Sequence, residues 1–173
     1  MKWKIFLLAA VTGLLAACGD PYMASDTGTV RVTRATARAF TYQYPNSTNE
    51  VWSYYSPNVV ILNDWELAGW SPMDESDYVV RFNMDGEDYY AWYDSEGNWI
   101  GTAYVVRDYT RLPVAINTSL HNLYPTYTIT TVNREFHNSG TYYEVTMKND
   151  KNKVVLLVDD NGNVVRQKIK TDY

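Results

Sequence analysis

Tyr89-Tyr90-Ala91-Trp92-Tyr93-Asp94-Ser95-Glu96-Gly97-Asn98-Trp99-Ile100 reads as a β-hairpin. Two apolar, aromatic-rich runs flank an acidic turn, and Gly97-Asn98 supplies the positive φ values that tight hairpins need. The same shape returns 65 residues later as Val154-Val155-Leu156-Leu157-Val158, then Asp159-Asp160-Asn161-Gly162-Asn163, then Val164-Val165. Extended back to Tyr78 and Tyr143, the two stretches align without gaps over 23 positions with six identities, and their turns coincide.

Upstream of each stretch lies a helical pattern. Val32, Ala35, Ala39, Phe40 and Tyr44 fall at helical spacing before Pro45, and Leu112, Ile116, Leu120, Leu123 and Tyr124 do so before Pro125. These starts are 80 residues apart, so the first copy carries 15 extra residues, placed at 63–77. A strand is expected over 51–55 in one copy and 129–132 in the other. The expected fold is α+β: two tandem repeats, 30–110 (with the insertion 63–77) and 111–173, each a helix packed on an antiparallel sheet of about four strands. Period-two alternation turns Tyr78, Val80, Phe82, Ala91 and Tyr93 toward the helix, and Arg81, Tyr90 and Trp92 away from it.

The remaining chain gives an address. Lys2 and Lys4 precede an apolar run that ends in Leu15-Ala16-Ala17-Cys18. The run is too short for a membrane span of roughly 20 residues. It resembles the lipobox of bacterial lipoproteins, which implies a signal peptide over 1–17 and acylation of Cys18. Cys18 is the one cysteine, so no thiol remains for a disulfide, a metal or a nucleophile. Residues 18–29 read as a tether with slack of roughly 20 Å. The expected location is the cell envelope, lipid-anchored, on the periplasmic side or at the outer membrane.

The motifs Ala39-Phe40, Tyr44-Pro45-Asn46, Trp52, Tyr78-Val79-Val80-Arg81-Phe82-Asn83-Met84-Asp85-Gly86 and Ala91-Trp92-Tyr93-Asp94 resemble the PepSY-like, β-lactamase-inhibitor-like domain of Bacteroidetes envelope proteins. Leu112-Pro113, Tyr124-Pro125, Tyr143-Glu144-Val145, Asp159 and Gly162-Asn163 fit a second copy. The resemblance spans roughly 30–170. It implies a fold like that of the β-lactamase inhibitory protein, with a concave sheet surface used for binding. That inhibitor's scaffold uses disulfides and this chain has none to offer. The shared motifs are packing and turn residues, which specify fold better than function.

Without the signal peptide, 13 basic residues face 20 acidic ones, a net charge of about −7, and nucleic acid is not an expected partner. No metalloprotease, nucleophile-elbow or phosphate-loop motif occurs, and the acidic turns do not match a calcium loop. Paired carboxylates for glycoside hydrolysis have no signature that sequence spacing reveals. His121 falls off the helical stripe and His137 in a loop. No enzyme activity, cofactor, metal site or catalytic residue is therefore expected. With 16 Tyr and 6 Trp, the functional candidates are aromatic. Trp52, Tyr90 and Trp92 are expected on the sheet face away from the helix, with Arg81 beside them and Trp65 and Trp70 in the insertion. Two readings follow: a module binding an envelope protein or peptide, or a glycan-binding accessory that stacks sugars on surface aromatics. The positions equivalent to Tyr90 and Trp92 are Val155 and Leu157, so the second sheet is apolar on both faces and something in the molecule can cover it.

Overall fold

The computed structural model describes residues 22–23, 30–59, 61–62 and 64–171. Cys18, the signal segment 1–17 and most of the tether lie outside the described residues. A two-residue strand β1 (Tyr22–Met23) pairs antiparallel with β2 (Arg31–Val32). Helix α1 (Arg34–Gln43) follows, then strands β3 (Thr48–Tyr54), β4 (Tyr78–Met84), β5 (Glu87–Tyr93) and β6 (Trp99–Val105). The short helix α2 (Trp65–Ala68) lies between β3 and β4. Helix α3 (Val114–Leu123) precedes β7 (Thr128–His137), β8 (Gly140–Lys148), β9 (Asn152–Asp159) and β10 (Val164–Thr171). The eight strands β3 to β10 form one antiparallel sheet in sequence order, joined at its centre by the β6–β7 pairing. The sequence pattern suggested two sheets of about four strands; hydrogen bonding from Thr102 to Val105 makes them one.

Both helices pack on the same side. Phe40 of α1 is buried among Trp52, Phe82 and Tyr93, and Ile116 and Leu120 of α3 among Val132, Val145 and Leu156. Each helix ends alike: the Tyr44 N–H donates to the Phe40 carbonyl at 2.8 Å and the Tyr124 N–H to that of Leu120 at 2.9 Å. The hairpin turns also share chemistry. Asp94 accepts from the Asn98 N–H at 2.8 Å, and Asp159 accepts from the Asn163 N–H at 2.8 Å. Gly162 has φ +83°, and a Cβ there would stand 2.5 Å from the Ala115 carbonyl, so the second turn closes directly on α3.

Three further expectations change. Val32 is a buried strand residue, and α1 begins only after Thr33, whose hydroxyl accepts from the Thr36 N–H at 3.1 Å. Trp52 lies under α1, 5.3 Å from the Phe40 ring, because it pairs with Val80 and so shares its helix-facing side. A register shift between Thr48 and Val51 makes this hard to read from edge-strand alternation. His137 ends strand β7 and is half-buried, not a loop residue.

Candidate functional site: the strapped face of the sheet

Alternation leaves the face opposite the helices lined by Trp92 on β5, Ala103 on β6, Asn133 and Glu135 on β7, Glu144 on β8, and Val155 and Leu157 on β9. An apolar sheet face cannot stay in water without cost. Here the chain covers it itself. The described residues between edge strand β3 and β4 (55–59, 61–62 and 64–77) include the stretch that covers this face. Trp65 and Trp70 meet the Trp92 ring edge-on at 5.3 and 5.0 Å, an arrangement favoured by the ring quadrupoles. Gly101 makes room beneath, since a Cβ there would lie 2.8 Å from the Trp70 ring. Leu67 of α2 is buried against Val155 and Leu157.

The strap is moored to the far half of the sheet. Arg166 on β10 donates to the Glu66 and Leu67 carbonyls at 3.3 Å each, satisfying acceptors that the short helix leaves open. Lys168 pairs with Glu66 and, at 3.4 Å, with Asp64. The Asn133 amide donates to the Leu62 carbonyl at 2.6 Å, and the Asp64 N–H donates to Glu144 Oε2 at 2.7 Å.

That last bond ends on a buried acid pair. Glu135 is 0% exposed and Glu144 4%. They sit diagonally, Asn133 facing Glu144 and Glu135 facing Tyr142 across β7 and β8. Burial, and then the neighbouring Glu144 charge, pushes the Glu135 carboxyl up to about 9. Burial also lifts Glu144, to about 7, against the stabilising Asp64 N–H. Two carboxyls so placed cannot both ionise in a low-dielectric setting, so the pair retains a proton at neutral pH. The one polar neighbour of Glu135 among the described residues is Glu144 itself, and the buried indole N–H groups of Trp70 and Trp92 on the same face are unpaired. His137 stacks on Tyr142 at 4.8 Å, and burial, with the charge of Arg166, lowers its pKa.

A groove of about 480 Å³ opens beside the strap, between Trp65 and Glu66 on one wall and Thr131, Thr146, Lys153 and Lys170 on the other. Glu144 borders it; Glu135 does not. A raised carboxyl is what general acid catalysis requires. Here one acid is sealed and the other is bonded to the strap, which fits a structural latch. Among the described residues no group of three His, Cys, Asp or Glu is placed to hold a metal ion, and no helix is long and apolar enough to cross a membrane.

The sequence-derived candidates thus divide. Trp52 is core under α1 and Trp92 is 0% exposed beneath the strap, so neither is a surface contact; the strap's own tryptophans are the physical reason for the second. Trp65, Trp70 and Tyr90 are half-buried on the strapped face, and Arg81 is exposed, paired with Asp88 at 3.3 Å. Sequence reasoning missed Glu135, Glu144 and Asn133. A signal existed: a β9 that is apolar on both faces requires a cover, and any acid alternating onto the neighbouring strands is buried with it.

A family model described as "putative beta-lactamase-inhibitor-like, PepSY-like" matches residues 76–166, more than half of the chain. Several solved structures are similar. A BLIP-like protein from Bacteroides fragilis shares 22% identity with a TM-score of 0.66, covering 84% of this chain and 92% of that one. A DUF2874 family protein from Bacteroides uniformis shares 19% identity, TM-score 0.61, with coverage of 79% and 88%. A Bacteroides eggerthii structure described as "putative periplasmic proteins" shares 16% identity, TM-score 0.62, with coverage of 82% and 91%. No curated protein matches the chain. At these identities the solved structures speak to the fold alone, a BLIP-like eight-stranded antiparallel sheet with few helices, while the match over 76–166 makes this chain a member of the beta-lactamase-inhibitor-like, PepSY-like family.

Proposed function

We propose that this chain is a non-enzymatic, lipid-anchored binding module of the cell envelope, built from two tandem repeats, that engages a protein or peptide through the groove beside its strap. The observation that carries this reading is the groove itself: an open channel between the half-buried Trp65 and a floor of four sheet strands, next to a face otherwise closed by the chain. A channel with an aromatic wall, threonine hydroxyls and charged ends suits an extended peptide segment. Trp70, Tyr90 and Arg81 lie on the same face of the sheet but outside the groove, and a partner long enough to extend past the strap would meet them. The tryptophans meet one another edge-on, so this geometry favours a protein or peptide over a sugar ring stacked on a free indole.

The repeat reading draws support from the matched helix ends and aspartate turns of the two halves. The anchor reading rests on the Leu15-Ala16-Ala17-Cys18 motif, and envelope residence is in keeping with the description of the Bacteroides eggerthii structure.

Site-specific photocrosslinking in cells tests the binding reading. A photoreactive residue at Thr146, in the groove, should capture a discrete partner, and one at His121, on the exposed side of α3, should not. Equal capture at both positions, or none at Thr146, would sink the reading. For the anchor, Cys18→Ser should abolish membrane partition; a variant that remains membrane-bound would reject the lipobox.

A further inference from the structure

Lysine is unevenly placed in this chain. After Lys4, every lysine falls between 148 and 170, while the basic residues elsewhere are arginines. Folding gathers them further. Strand pairing sets Lys148 opposite Lys153, and Lys153 opposite Lys170, so three ammonium groups stand in one row across β8, β9 and β10. Neighbouring strands are about 4.8 Å apart, and like charges directly opposite one another destabilise a sheet. Lys170 reaches Asp64 at 3.6 Å, but Lys148 and Lys153 have no ion-pair partner among the described residues.

Lysines on an edge strand are a common guard against edge-to-edge aggregation, which accounts for those on β10. It does not account for Lys148 and Lys153, which sit on interior strands. Only Lys170 serves the fold, through Asp64; Lys148 and Lys153 meet like charge across the sheet, in a protein whose formal charge is −5. The row also lines two openings. Lys153 and Lys170 face the groove beside the strap, whose acids are already engaged: Asp64 by Lys168 and Lys170, Glu66 by Lys168, and Glu144 by the Asp64 N–H. Lys148, with Lys151, faces a second of about 450 Å³ that includes Asp150, Thr126 and Thr128.

We propose that this corner is the docking site for an acidic segment of a protein partner, whose Asp or Glu carboxylates meet Lys148, Lys153 and Lys170. The proposal rests on the peptide-binding reading of the groove and adds the partner's charge. Lysine offers a compact charge on a flexible stem and needs no fixed bidentate geometry, which fits a run of carboxylates in an extended chain. The ammonium groups line concave walls, and Lys153 is half-buried, so a peptide reaches them more readily than a flat lipid surface does.

The test uses the full chain in a non-ionic detergent, with a fluorescent ten-residue polyglutamate as probe and polyglutamine as its neutral control. Polyglutamate should bind, polyglutamine should not, and affinity should fall about tenfold between low and physiological salt. The variant Lys148→Gln/Lys153→Gln/Lys170→Gln should lose about tenfold or more while melting close to the parent, because the repulsion it removes offsets the loss of the half-exposed Lys170–Asp64 pair. Absence of polyglutamate binding, equal binding by the triple variant, or binding to phosphatidylglycerol vesicles without binding to polyglutamate would each overturn the proposal. Crosslinking at Thr146 separates the two levels. Capture undiminished in the triple variant would leave the groove standing and reject the acidic partner, whereas no capture by the parent rejects the groove itself.

Discussion

Changing Glu135 to Gln should make this protein more stable at alkaline pH and leave it nearly unchanged at pH 5. Both buried carboxyls titrate above their ordinary value, so the folded state holds protons that the unfolded chain has released. For a group whose folded pKa is raised, stability is complete below the unfolded value of about 4.5 and is lost as pH climbs through the folded value. The affected window therefore runs from about pH 5 to about pH 9. One retained proton costs about 1.4 kcal/mol per pH unit across that window. Two units of it amount to about 3 kcal/mol, a large part of a typical net stability of roughly 5–15 kcal/mol. In a domain of this size that is roughly 6–12 °C in Tm. His137 has the opposite sign, since a lowered pKa makes stability fall as pH drops, so the informative quantity is the variant minus the parent at each pH. Thermal melts by circular dichroism at pH 5, 6.5 and 8 supply it. A local readout accompanies them: exchange at the Asp64 amide, which donates to Glu144 at 2.7 Å, should accelerate with pH beyond its intrinsic rate in the parent and less so in the variant. If parent and variant lose stability with identical pH slopes, the acid pair does not hold the proton assigned to it.

Gly101→Ala should cost roughly 1–3 kcal/mol by urea denaturation and shift the tryptophan emission, because a Cβ at that position would enter the Trp70 ring at 2.8 Å; an unshifted spectrum would mean that the strap does not rest there. Gly162→Ala should cost about 2 kcal/mol or more in the same assay, combining a left-handed φ of +83° with a 2.5 Å approach to the Ala115 carbonyl, and a neutral result would contradict the close turn–helix contact. Trp52→Ala should lose about 3–5 kcal/mol as a buried core residue while leaving partner capture at Thr146 intact at a temperature where the variant is folded; selective loss of capture would return Trp52 to the binding surface.

The strands, turns and helix positions were legible because each rests on local chemistry. Tyr78, Val80, Phe82, Ala91 and Tyr93 alternate onto the helix side as their spacing predicts, and all are buried there. Trp92 alternates onto the other side, also as predicted; what alternation could not reveal is what lies above it. Whether a sheet face meets water or a crossing loop depends on the contacts of Trp65 and Trp70 with Trp92, more than twenty positions later in the chain. Trp52 failed for a different reason. Val51, Trp52, Ser53 and Tyr54 belong to an edge strand with an irregular register, and only pairing with Val80 decides the face. The acid pair and the lysine row share one obstacle: each arises from register between strands, so Glu135 meets Glu144, and Lys153 meets Lys170, through a hairpin geometry that composition does not encode.

The strap carries a consequence for how the chain assembles in time. It is made early, between β3 and β4, yet its moorings on β10 lie about a hundred positions later, at Arg166 and Lys168. A chain emerging from its N-terminus can form α1, its four strands and the Trp65–Trp70–Trp92 cluster while Leu67 still lacks its cover on β9. Contacts of such sequence separation are the slow ones in folding. The last strand therefore acts as a clasp on work done much earlier, and loss of its final residues should leave a native-looking first half, Trp65 and Trp70 still on Trp92, with the α2 turn unfastened from the second half.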